Sequence, residues 1–226
     1  CIPATRDFLA MLREETTKAG AILIFDEVMT SRLSTGGLQQ LTGVLPDLTT
    51  LGKYLGGGLS FGAFGGWRDL LERFDPSRPG ALAHAGTFNN DVLTMAAGLA
   101  GLTQIYTPAA AERLNAGGDV LRERLTAAGR ELGVPFHATG RGSLIGLQFG
   151  TGPIRRSADI ARVPADVLAD CRALLHLELL EQGFSCARRG FLALSLPLTD
   201  DDHDGFVGAV STTLARHASA FAAAAG

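Results

Sequence analysis

The spacing of apolar residues divides this chain into a first half of alternating helix and strand and a second half of more mixed order. Phe8, Leu9 and Leu12 recur at helical spacing, Glu14, Glu15 and Lys18 fall where they can face water, and Gly20 follows as a stop. Residues 21–28 are apolar without alternation up to the acidic pair Asp26-Glu27, as expected of a parallel strand covered on both faces. A helix, a glycine and such a strand in that order argue for an α/β layer. Residues 48–51 form a second short strand candidate. Residues Phe61-Gly62-Ala63-Phe64-Gly65-Gly66 form a third, whose glycines suggest a backbone lying close to something else. From 91 to 105 the pattern is helical, with Leu93, Met95, Leu99 and Leu102 part of a surface apolar almost all round, so this helix should be buried or pressed against another subunit.

Thr107-Pro108 opens a new helix, with the hydroxyl as cap and the proline in the first turn. A domain boundary is placed here, giving units 1–106 and 107–226. Beyond it the pattern predicts a helix to about Leu132, strands near 134–139 and 143–149, and a helix over 165–182. Phe184 to Ser195 reads as two short strands joined around Arg188-Arg189-Gly190. The last helix opens at Thr199, with Asp202 three residues on as a variant of the capping box. This half reads as a small α+β domain.

Composition narrows the function classes. In 226 residues, 23 acidic against 20 basic side chains give a net charge of −3, which offers no basic footprint for nucleic acid. The Arg155-Arg156 and Arg188-Arg189 pairs read as solvated surface. No apolar stretch reaches the roughly 20 residues that span a bilayer; the alanine-rich tail is interrupted by Arg216 and His217 and reads as the end of a helix. Cys1, Cys171 and Cys186 form no CxxC and cannot all pair, which favours a reducing cytoplasm. The chain starts at Cys1 rather than Met and enters a helical pattern at once, so it reads as a piece of a longer protein.

Two residues carry the chemistry. Asp26 ends an apolar strand, and Lys53 ends a second one beside Gly52 and Gly56-Gly57-Gly58. A lysine so placed can form an imine with an aldehyde cofactor, pyridoxal 5'-phosphate, while the carboxylate keeps the cofactor's ring nitrogen protonated and the ring an electron sink. The glycines would let the backbone approach a bulky ring. Each residue has a plainer reading: Asp26 as a loop cap or a metal ligand with Glu27, Lys53 as a solvated lysine in a glycine loop. Chelation by the pair is disfavoured because adjacent strand residues point to opposite faces. A Walker loop fails, since Tyr54 follows the lysine and no glycine stands five positions before Gly52. Residues 85–90, Ala85-Gly86-Thr87-Phe88-Asn89-Asn90, precede the buried helix. They could hold a phosphate through backbone N–H groups and the Thr87 hydroxyl, or could simply cap the helix through Asn90. His84 is a candidate acid or base, though a lone histidine is more often an ordinary packed or surface residue. The five histidines show no metal spacing, and neither a serine-nucleophile elbow nor a GxGxxG fingerprint occurs.

The segments IFDEVMTSR, PDLTTLGKYLGGGLSFGAFGG, HAGTFNNDVLTMAAGLAGL and ARRGFLALSLPLTDDDHDGF resemble class III aminotransferases, in particular the glutamate-1-semialdehyde 2,1-aminomutase-like branch. The resemblance implies an α/β fold of the PLP-dependent transferase fold type I. The chain would supply part of a large domain with a mainly parallel sheet and a small C-terminal α+β domain. It also implies a homodimer with active sites at the subunit interface, acting on a small-molecule amino or keto substrate. Carried over by motif, Lys53 is the Schiff-base lysine, Asp26 pairs with the pyridine nitrogen and Val28 packs on the ring. Thr87 binds the phosphate of the other subunit's cofactor, and Glu27 stands behind Asp26. Ser31-Arg32-Leu33 departs from the Gly-Phe-Arg element usual after the acidic pair, so Arg32 is given no substrate role. The family's N-terminal half has no counterpart in these residues. The alternatives are a glutamate-1-semialdehyde aminomutase of tetrapyrrole biosynthesis and a non-catalytic fragment. If the truncation is real, Ile24, Phe25 and the 91–105 helix should expose apolar surface and favour aggregation.

Overall fold

The computed structural model of the chain describes residues 1–150, 152–160 and 162–224. They fold as two compact units, one of Ala4–Glu112 and one running from Arg113 onward together with Cys1–Pro3. The division falls within the helix that opens at Pro108.

The first unit begins with α1 (Arg6–Ala19), whose first turn is capped by the Thr5 hydroxyl accepting the Phe8 N–H at 3.2 Å. There follow β1 (Ile24–Asp26), α2 (Gly37–Thr42), β2 (Leu48–Gly52), β3 (Gly62–Gly66), α3 (Arg68–Leu71) and α4 (Val92–Ala100), the last running into a π-helical turn over Gly101–Ile105. The sheet order is β1-β2-β3; β1 and β2 are parallel, with Asp26 opposite Thr50, and β3 returns antiparallel. The long apolar run at 21–28 thus pairs as a strand only over Ile24–Asp26. It is also covered on one face: Leu23 is buried, whereas Ile22 and Ile24 are each 53% exposed.

A buried carboxylate fixes the entry to the sheet. Asp47 accepts the Leu23 N–H at 2.7 Å and pairs with Arg13 of α1 at 2.9 Å. The Leu23 N–H first, and Arg13 after it, hold the Asp47 carboxyl below its usual range. One of the glycines after Lys53 admits a close backbone neighbour. A Cβ on Gly57, which has φ +61°, would lie 2.3 Å from the Ala97 carbonyl oxygen, so the turn packs backbone to backbone on α4.

The second unit contains α5 (Pro108–Glu131), most of which belongs to it, then β4 (Phe136–Arg141), β5 (Leu144–Phe149), α6 (Ser157–Ile160), α7 (Ala165–Glu181), β6 (Phe191–Ala193), α8 (Asp200–Arg216) and α9 (Ala218–Ala224). Its sheet is antiparallel in the order β4-β5-β6. Every residue of β5 is buried, and Phe136, Phe149, Phe221, Leu125, Leu179 and Leu214 form the dry centre. Of the two strands expected between 184 and 195, β6 alone forms. Phe184 instead packs edge-to-face on Phe206, 5.5 Å between ring centres, so its apolar character serves packing rather than pairing. The Thr199–Asp202 capping box is present as the sequence predicts. Among the described residues no helix is long and apolar enough to cross a membrane.

Candidate active site

β1 and β2 run parallel and end side by side, and in α/β sheets ligands bind beyond such carboxyl ends. Asp26 is the last residue of β1, and Lys53 follows the last residue of β2. Lys53 has φ +55°; among the described residues Asn90 is the other non-glycine with positive φ. Asparagine enters this region readily, but for a lysine it costs about 1–2 kcal/mol, strain of the kind found where a side chain must be aimed. Gly52, just before it, is buried. A Cβ there would stand 3.2 Å from the Phe61 carbonyl oxygen, tighter than usual, and in ordinary contact with Val28 Cγ1 at 3.4 Å, so the glycine eases the approach of the Phe61 backbone to the end of β2.

The acidic pair separates as strand alternation demands. Asp26 is exposed, and its Oδ1 accepts the Thr50 hydroxyl at 3.2 Å and the Val28 N–H at 3.1 Å. No described residue donates to Oδ2. Glu27, 1% exposed, points the other way and accepts the N–H groups of Leu38 at 2.7 Å and Gln39 at 2.8 Å and the Thr30 hydroxyl at 3.0 Å. It therefore closes the start of α2, where anionic oxygens are favoured. Gly37, at φ +72°, is required there, since a Cβ would lie 2.5 Å from Glu27 Oε2. Chelation by the two carboxylates is excluded by this geometry.

Thr87 stands exposed in the 85–90 loop, with no hydrogen bond to Asp26 or Lys53. The start of α4 is capped by Asp91, not Asn90: Asp91 Oδ1 accepts the Thr94 N–H at 2.9 Å, and that bond above all holds the carboxyl below its usual range. A carboxylate thus already serves the first turn, and within the loop the Asn89 N–H donates to the Gly86 carbonyl at 3.0 Å. Between this loop and β2–β3 lies an open cavity of about 1060 Å³, lined by Thr50, Phe61, Phe64, His84, Asn89 and Thr94 among others, but not by Asp26, Lys53 or Thr87. His84, exposed, packs edge-to-face on Phe64 and Phe74, with centroids 5.3 and 5.9 Å away.

The structure thus brings Asp26, Val28 and Lys53 to one strand end and leaves Thr87 apart from them. Thr50, bonded to Asp26, was not singled out from the sequence. Its position three residues before Lys53 was visible, but its pairing with Asp26 depends on a strand register that apolar runs do not reveal.

Comparison with known proteins supplies the context for this arrangement. The chain is 52% identical to the β-phenylalanine transaminase of Variovorax paradoxus over 217 residues, 96% of this chain and 49% of the relative. It is 37% identical to glutamate-1-semialdehyde 2,1-aminomutase 2 of Brevibacillus brevis, over 90% of this chain and 46% of the relative. The crystal structure of a β-phenylalanine aminotransferase from Variovorax paradoxus superposes with a TM-score of 0.92 at 51% identity, covering 97% of this chain and 50% of that one. The chain spans about half the length of the curated relatives it matches. The fold is accordingly that of the PLP-dependent transferases of fold type I, present in part. The profile of the class-III aminotransferases matches residues 1–203, and the chain belongs to that family.

Proposed function

We propose that the complete protein is a PLP-dependent aminotransferase that moves an amino group from a small-molecule donor to a carbonyl acceptor, with Lys53 and Asp26 as its catalytic pair. The observation that carries this reading is the placing, at the carboxyl ends of two adjacent parallel strands, of a lysine in a left-handed backbone conformation and a carboxylate whose Oδ2 receives no donor from the described residues. The residues fit pyridoxal 5'-phosphate: an amine for its aldehyde, Asp26 Oδ2 for its ring N–H, and the apolar Val28 near the strand end for its ring face. When bound, that cofactor supplies a carbonyl that takes up the amino group and a cationic ring that accepts electrons from the bond being broken.

The chain's own residues do the rest. Asp26 holds the proton on the ring nitrogen through Oδ2, its other oxygen being occupied by Thr50 and Val28. Lys53 would hold the cofactor's aldehyde through its amine, and its Nζ, when not so engaged, would serve as the base and acid that moves the substrate's proton. Both groups are exposed on this chain, so water must be excluded by elements beyond these residues.

We also propose a homodimer in which Thr87 reaches the phosphate of the partner's cofactor. Its exposed loop and the neighbouring Phe88, Val92 and Leu93, all more than 70% exposed, support that reading. The three free thiols agree with a cytoplasmic setting.

The Brevibacillus brevis relative supports a second reading, an aminomutase that needs no separate acceptor. The higher identity to a transaminase favours the first. The test is to reduce the full-length protein with borohydride in the presence of the cofactor, map the adduct by mass, and assay turnover with and without an amino acceptor. An adduct on Lys53 with acceptor-dependent turnover is expected. Turnover of one carbon skeleton without acceptor would select the aminomutase. An adduct elsewhere, or none, would overturn the assignment of Lys53.

A further inference from the structure

Asp26 has two oxygens, and the structure treats them differently. Oδ1 receives two donors, the Thr50 hydroxyl at 3.2 Å and the Val28 N–H at 3.1 Å, while Oδ2 receives none from the described residues. No described cation pairs with this carboxylate. Its plane is therefore set by those two hydrogen bonds alone. That matters because the terminal torsion of an aspartate lies in a broad well and does not fix the carboxylate by itself.

Thr50 is suited to the task. It stands directly opposite Asp26 in the parallel register, and its carbonyl accepts the Glu27 N–H at 3.0 Å, so its side chain and backbone grip the last residue of β1 and the one that follows it. Threonine is branched at Cβ and stiff at its first torsion, which holds the hydroxyl in place. Thr50 also lies on the strand that delivers Lys53, so the grip ties the lysine's strand to the carboxylate's. Thr49, next to it, points to the opposite face, where its hydroxyl and the Gln39 side-chain amide hydrogen-bond at 3.3 Å. One threonine serves packing behind the sheet and the other serves the acid.

We propose that Thr50 is a positioning residue that clamps Asp26 Oδ1 and so presents Oδ2 to the ring nitrogen of the cofactor. This rests on the aminotransferase reading above and goes beyond it, since it assigns Thr50 a role that is exerted through Asp26.

The test uses the full-length protein loaded with pyridoxal 5'-phosphate and compares Thr50→Val, Thr50→Ser and Thr49→Val with the parent. Three quantities are read: the absorption spectrum of the bound cofactor, its dissociation constant, and thermal unfolding without cofactor. Thr50→Val should weaken cofactor binding by about tenfold, the usual size of one hydrogen bond to a charged group, and alter the ratio of the cofactor's absorption bands. Thr50→Ser should restore both. Thr49→Val should leave both at parental values whatever it does to thermal unfolding. A parental spectrum and affinity in Thr50→Val, or equal changes in Thr49→Val, overturn the proposal. If Thr50→Val does not fold, Thr50→Ala takes its place under the same criteria. A parent protein with no violet-region band and no adduct on Lys53 would instead overturn the aminotransferase reading and this proposal with it. A parental adduct with unchanged variants sinks this proposal alone.

Discussion

The two units solve the problem of burying apolar surface in opposite ways. The Arg113-onward unit encloses its own core: Phe136, Phe149, Phe221, Leu121, Leu125, Ile145, Leu147, Leu179, Leu214 and Val210 are all buried to within 2%. In the Ala4–Glu112 unit the large side chain buried to that degree is a carboxylate, Glu27, while Ile22, Ile24, Phe88, Val92, Leu93, Leu99 and Ile105 stand more than half exposed. Soluble domains rarely leave so much apolar surface uncovered without a partner for it. The unit that bears Asp26 and Lys53 is thus the open one.

Substitutions can break or sharpen this contrast. The largest effect is expected at Lys53: Lys53→Ala in the full-length protein should abolish both turnover and the borohydride-trapped adduct, while melting of the Arg113-onward unit stays unchanged. Retained turnover would remove the lysine from the mechanism. Asp26→Asn should still bind the cofactor but lose activity by about 10²–10³-fold, the usual loss when a preorganised electrostatic partner is removed. Near-parental rates would contradict its role.

Stability effects come next and should divide by unit. Leu125→Ala, at a site with 0% exposure, should lower unfolding free energy by about 2–5 kcal/mol in chemical denaturation. Leu99→Ser, at 67% exposure, should change it by less than about 0.5 kcal/mol while reducing aggregation in light scattering. Equal losses at the two sites would erase the contrast. Glu27→Ala should cost about 1–3 kcal/mol, because the N–H groups of Leu38 and Gln39 lose their acceptor.

The smallest expected effect is on pH dependence. The Asp47 carboxyl is held below 3.8 when folded, so its contribution is full above that value and is lost as pH falls through the lower, folded value. Asp47→Asn should flatten the acid limb of the stability profile below about pH 4. An unchanged limb would show that the Leu23 and Arg13 contacts contribute nothing there.

Much of the fold was legible because local rules dominate it. The helix ending before Gly20, the helix opening at Thr107-Pro108 and the Thr199–Asp202 capping box each depend on residues within one or two turns of chain. Where neighbours distant in sequence decide, local reading was less complete. The apolar run at 21–28 implied cover on both faces and has it on one. Phe184 looked like strand and packs on Phe206. The glycines after Lys53 signalled a close approach of some kind, but that the α4 backbone meets Gly57 was not legible. Asn90 looked like the helix cap, but the Asp91 carboxylate sits one residue closer and takes the N–H.

The sequence by itself determined the family through its motifs, the order of most elements, and the opposed faces of Asp26 and Glu27, because side-chain alternation along a strand follows from covalent geometry. Only the tertiary structure decided the register that sets Thr50 against Asp26, the left-handed backbone at Lys53, and the use of Glu27 to close α2. Those depend on which strand ends meet in space, and hydrogen bonds between segments more than twenty residues apart leave no periodic trace in the chain that makes them.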